Sequence, residues 1–159
     1  MLRIILRLQK IPASIVIGLL LLLSIIWAHI ITKISEYVPG QNLNNIQQIN
    51  PKYNQITIFI TIVFIAPIIE TFIFQHLLIK ASIKVFKWPQ ISFQTAMLSI
   101  FSFGIMHCYS LFMVLATTVG CAFLYICYVT FEKKGSNAFL FTLLLHSLYN
   151  FYGWLIDLG

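Results

Sequence analysis

From Ile56 to Ile79 the chain reads ITIFITIVFIAPIIETFIFQHLLI, an apolar run of membrane-crossing length that carries a single carboxylate, Glu70. About 20 such residues in a helix span the hydrocarbon core of a bilayer. Holding a charged side chain at that depth costs about 2.5 kcal/mol or more. The run therefore fixes a membrane helix, and Glu70 requires partners on other helices or a task that repays its cost.

Four further apolar runs follow the same pattern: Ala13–Thr32, Ile91–His107, Leu111–Phe131 and Ala138–Ile156. The chain is 60% hydrophobic and 9% charged, with a mean hydropathy of +0.92. These values exclude a soluble domain of this size. The expected fold is all-α, a polytopic transmembrane helical bundle of about five spans. It forms a single integral-membrane domain over residues 1–159, with a core from about 56 to 156 and an anchor helix at about 13–32. The first run is too long for a typical signal-peptide core and no A-x-A site follows it, so an uncleaved first span is expected. The net charge of +6 does not point to nucleic acid, because the basic residues form short clusters beside apolar runs, as juxtamembrane anchors do. Cys108, Cys121 and Cys127 form no CxxC pair and read as small apolar fillers.

Basic clusters also set an orientation. Arg3, Arg7 and Lys10, then Lys80, Lys84 and Lys87, then Lys133 and Lys134 fall on one side if the N-terminus is cytoplasmic. The expectation is a multi-pass protein of the cell membrane with its C-terminus extracytoplasmic. On the outer side, Ile34, Tyr37, Val38, Leu43, Ile46 and Ile49 recur at helix-like spacing, interrupted at Gly40 and ended by Pro51. This segment reads equally as an interfacial helix or as a solvated loop.

Polar groups recur on three of the runs. Pro67 precedes Glu70 and can kink its helix, opening room for water. An apolar setting suits a carboxylate to general-base work on that water. Phe103 and His107 lie four apart and share a helix face, as do His146 and Asn150. An imidazole and an amide pointing one way suit a developing oxyanion. Each has a plainer reading as well: interhelical polar contact for Glu70, His146 and Asn150, and an interfacial or core position for His107. Helix rise puts Glu70 about 15 Å and His146 about 12 Å from the cytoplasmic side, but His107 about 24 Å. Glu70, His107 and His146 could also hold zinc with a position open for water, although no HExxH string is present. His29 and His76 read as interfacial.

Three strings, Glu70-Thr-Phe-Ile-Phe-Gln75, Phe103-Gly-Ile-Met-His107 and His146-Ser-Leu-Tyr-Asn150, resemble the motifs of the CAAX protease and bacteriocin-processing (Abi) family. That family includes the type II CAAX prenyl proteases, and its pattern is E-E-x-x-x-R, F-x-x-x-H and H-x-x-x-N/D on separate helices. The resemblance implies an intramembrane endopeptidase in which Glu70 and His107 activate water while His146 and Asn150 form the oxyanion hole, with no cofactor required. It implies a peptide or protein substrate, lipidated or a bacteriocin, within the bilayer. Thr71 and Gln75 stand where the family has its second Glu and its Arg. Both members of that pair are replaced together, which leaves no unpaired buried charge. The rival expectations are a non-catalytic immunity or interaction protein that keeps the fold, and a small transporter using Glu70 and the histidines as a proton path.

Overall fold

Side-chain caps mark where most of the helices begin. In a computed structural model describing residues 2–38 and 54–157, the Asn54 carboxamide accepts the Thr57 N–H at 2.8 Å and opens α3, Gln55–Val85. Ser92 accepts from Thr95 and opens α4, Phe93–Met106; Ser110 accepts from Met113 and opens α5, Leu111–Lys133. Asn137 accepts from Leu140 at the start of α6, Ala138–Asp157. Each cap satisfies a backbone donor that the first helical turn leaves free. Pro12 precedes α2, Ala13–Glu36, and ahead of it lies a short helix, α1, Leu2–Leu8. The Leu43, Ile46 and Ile49 segment lies outside the described residues.

Among the described residues every regular element is helical, and four helices are long and apolar enough to cross a membrane. The protein is a multi-pass α-helical membrane protein. Spanning helices satisfy their backbone groups internally, as a bilayer core requires. The third run departs from the expected span. At 14 residues α4 is about 21 Å long, short of the roughly 30 Å core. Its start is set at Phe93 by the Ser92 cap, and His107 ends it with a non-helical backbone (φ −103°, ψ 37°). The other helices extend past their expected ends, α3 to Val85 and α2 to Glu36.

The hub is α5, which packs against α2, α4 and α6. Its Cys121, Tyr125, Tyr128, Val129 and Phe131 are almost wholly enclosed, while Phe64, Ile69, Phe101 and Leu144 on other helices face outward as lipid-contacting residues do. Unforeseen from the sequence, α1 docks Ile5 and Leu8 against the bundle beside α5. The Lys134 ammonium holds this corner by donating to the Ile11 carbonyl at 2.5 Å. Cys108 is exposed in the turn after α4 and is no apolar filler, whereas Cys121 and Cys127 are buried.

Helices α4 and α5 approach closely at Gly104. A Cβ there would stand 2.0 Å from the Thr118 hydroxyl oxygen and 3.3 Å from the Val114 carbonyl oxygen. The absent side chain lets α4 lie against α5 one turn before His107. Gly104→Ala should lower stability by about 1–3 kcal/mol, the usual range for overpacking. Thr118→Ala in the same chain should restore part of the loss, as measured by thermal unfolding in detergent.

Candidate functional site

Helix α3 is regular at its ends and widened in two places, at Thr61–Ile65 and Thr71–Leu77, where it takes up π-helical turns. Pro67 lies between them. The Ala66 N–H bonds the Thr61 carbonyl, five residues back, and so is not available to Ile62. In that register the next donor would be the N–H of residue 67, which proline lacks. The stranded Ile62 carbonyl is taken up from α6: the Asn150 amide nitrogen donates to it at 2.9 Å. At the second widening the Leu78 N–H bonds Ile73, and the neighbouring Phe74 carbonyl receives the Ser99 hydroxyl of α4 at 2.8 Å. Between these two braces stand Glu70 and Thr71. Widened turns of this kind concentrate at functional sites.

Glu70 meets both predicted histidines. Its Oε1 lies 3.8 Å from His107 Nε2 and its Oε2 lies 3.4 Å from His146 Nε2. The depth mismatch expected for His107 closes for two reasons. Helical side chains lean toward the N-terminus of their helix. Because α3 and α4 run in opposite directions, the carboxylate and the imidazole lean toward each other. The His107 ring is also folded back on its own last turn, with Nδ1 bonded to the Phe103 carbonyl at 2.9 Å and the two ring centroids 4.6 Å apart. A carbonyl only accepts, so Nδ1 carries the proton. In the neutral ring Nε2 is then a free acceptor turned to Glu70.

His146 is held differently. It is almost fully enclosed, and its Nδ1 lies 3.2 Å from the Thr71 hydroxyl. With an ionised carboxylate at Nε2, that nitrogen carries the proton and Thr71 donates into Nδ1. Thr71 is thus in contact with the site. Gln75 is turned elsewhere: its amide nitrogen faces the Cys121 sulfur at 3.1 Å, and its Oε1 is buried with no hydrogen-bond partner among the described residues.

Glu70, Phe103, His107, His146 and Asn150 all line one cavity of about 580 Å³ between α2, α3, α4, α5 and α6. Among the described residues, no group of three His, Cys, Asp or Glu side chains has metal-binding spacing. The set of Glu70, His107 and His146 that the sequence offers for zinc does not have that spacing.

Residues 52–152 match the family model of the type II CAAX prenyl endopeptidase Rce1-like proteins. The chain belongs to this family. No curated protein and no solved structure matches it significantly. The Rce1-like match begins at the start of α3 and ends within α6, so it covers every helix that supplies a motif residue and leaves out α1 and α2. At family level the protein is therefore a CAAX-type intramembrane endopeptidase.

Some residues of the site escaped the sequence reading. Ser99 sits in an apolar helix with nothing to mark it as the donor to a widened turn. His29, exposed near the end of α2, lines the cavity with Nε2 2.6 Å from the Tyr152 hydroxyl. His76 stands apart, stacked on Phe72 and bonded to the Tyr128 hydroxyl at 2.9 Å. For Asn150, the brace on α3 is visible only once Pro67 and α6 are seen together. Asn150→Ala should cost about 1–3 kcal/mol, the usual penalty for stranding a buried polar group. Adding Pro67→Ala supplies a backbone donor and should recover much of that loss in a double-mutant cycle of thermal unfolding.

Proposed function

We propose that the protein hydrolyses a peptide bond inside the membrane, using water activated by Glu70 and His107. The observation that carries this reading is the placement of one carboxylate between two imidazoles at 3.8 Å and 3.4 Å in a single cavity. A water within about 2.6–3.2 Å of both Glu70 Oε1 and His107 Nε2 fits the gap between them. Both atoms accept, so that water gives up a proton as its oxygen attacks the carbonyl carbon. The tetrahedral oxyanion meets the Nε2–H of His146, which Thr71 keeps in the right tautomer. The second N–H of the Asn150 amide is left to assist, the first being given to Ile62. Collapse of the intermediate breaks the C–N bond, and the proton taken from water passes to the leaving amine. Donors placed for the oxyanion contribute about 2.7–4 kcal/mol each in well-studied cases.

Prenylated CAAX-type peptides and bacteriocin leaders are the substrate classes to test, the first favoured by the family. Glu70→Gln keeps shape and removes the base. In proteoliposomes it should lower cleavage of a quenched lipidated peptide by about 10²–10⁴-fold while leaving the unfolding temperature unchanged. Undiminished cleavage would sink the peptidase reading. Toxin protection in cells that survives this substitution would favour the immunity role, which the loss of the motif Glu and Arg at Thr71 and Gln75 recommends.

Thr71 supplies a separate check. Thr71→Val removes the hydroxyl at nearly constant volume and should lower kcat, with Thr71→Ser restoring most of it. If valine is as active as threonine, the hydroxyl does not set the imidazole.

A further inference from the structure

Three segments far apart in sequence meet at one end of the bundle: α1 with the turn behind it, the close of α3, and the close of α5. The Lys134 ammonium donates to the Ile11 carbonyl, Lys80 pairs with Glu132, and the Gln90 amide donates to the same carboxylate at 2.5 Å. These segments carry eight of the chain's ten Lys and Arg residues. Of its four acidic residues only Glu132 stands with them, and both of its oxygens are taken by Lys80 and Gln90. Arg3, Arg7, Lys10, Lys84, Lys87 and Lys133 are exposed, with no acidic partner among the described residues. Apolar side chains are exposed beside them. On α1, Ile5 and Leu8 turn into the bundle, while Leu2 with Leu6 and Arg3 with Arg7, each pair four residues apart, form neighbouring outer stripes. After α3, Val85 and Phe86 are exposed, as is Phe93 at the start of α4.

The turn between α3 and α4 is built rather than slack. Lys87 takes a left-handed backbone (φ 57°), which glycine adopts without strain and lysine does not. Around it Phe86 stacks on Trp88 with ring centroids 4.8 Å apart. The Trp88 N–H bonds the Ser82 carbonyl, and the Tyr125 hydroxyl of α5 donates to the Gln90 carbonyl. A lysine and an aromatic pair are thus held out together where α3 leaves its apolar run. We propose that this end of the protein binds the headgroups of anionic phospholipids, its six uncompensated cations meeting the phosphates and the flanking Leu, Val and Phe side chains meeting the adjoining acyl chains. A soluble polyanion would answer the charges and leave the apolar side chains in water. A zwitterionic lipid would cover the apolar side chains but bring a cation of its own with each phosphate. A lipid of net negative charge answers both, and α1 then lies as an interfacial helix. That lipid is the counter-charge under which α1, with Arg3, Arg7 and Lys10, settles beside Lys133 and Lys134 of α5.

Trp88 is a native reporter in the turn itself, while Trp27 and Trp154 stand within α2 and α6. In nanodiscs, phosphatidylglycerol brominated on its acyl chains should quench the Trp88 emission, read as the difference between the protein and Trp88→Phe. It should do so more strongly than the same fraction of brominated phosphatidylcholine. Lys84→Gln with Lys87→Gln should remove that preference, each lysine contributing up to about fivefold. Equal quenching by the two lipids, or a preference that survives both substitutions, would overturn the proposal. For α1, exchanging phosphatidylcholine for phosphatidylglycerol should raise the unfolding temperature, and Arg3→Gln with Arg7→Gln should shrink that rise. A rise that those substitutions leave unchanged would take α1 out of the surface. If polyglutamate added to phosphatidylcholine nanodiscs raises the unfolding temperature as far as the anionic lipid does, the partner is a soluble polyanion and the lipid assignment fails. Neither readout needs cleavage, so the outcome of the Glu70→Gln assay remains a distinct result.

Discussion

The missing N–H of Pro67 organises the half of this molecule that carries the family motifs. In a membrane no water stands ready to take up a carbonyl that loses its donor, so each must be satisfied by protein. The widened turns of α3 leave the Ile62 and Phe74 carbonyls to be bonded by Asn150 from α6 and Ser99 from α4. Those two bonds fasten the carboxylate-bearing helix to the two helices that carry the imidazoles. Glu70 and Thr71 lie in the stretch between them, so the irregularity that exposes the site also fixes its geometry.

The replaced motif pair is consistent with this arrangement. In place of two mutually paired charges, Thr71 and Gln75 take separate partners. Thr71 turns to His146 and Gln75 to Cys121. A hydroxyl can do for an imidazole tautomer what a charge would do, at a smaller desolvation cost. Among the described residues the buried Gln75 Oε1 finds no hydrogen-bond partner.

Much of the architecture was legible because hydrophobic run length and the position of isolated polar residues are direct consequences of the bilayer. Runs at Leu111 and Ala138 began where caps place the helices, and Glu70, His107 and His146 came together on the cavity. Elsewhere the code was not local. The end of α3 lies at Val85 because helices continue past the hydrocarbon into the headgroup layer, where lysines do not stop them. The brevity of α4 depends on the Ser92 cap and on the Gly104 approach to α5, and α1 on a docking surface built by another helix. His29 and Tyr152 are far apart in sequence, and only the packing of α2 on α6 makes them neighbours.

The plug of aromatic rings on the basic side of α5 has an electrical consequence. A hydrolytic site must hold water, and a hydrated path through a bilayer would short-circuit the ion gradients the membrane maintains. Tyr125, Tyr128 and Phe131 are almost wholly buried on the basic side of α5, and the lining of the cavity stops short of them. Packed rings on that side would keep water held beside Glu70 from joining a continuous path through the bundle.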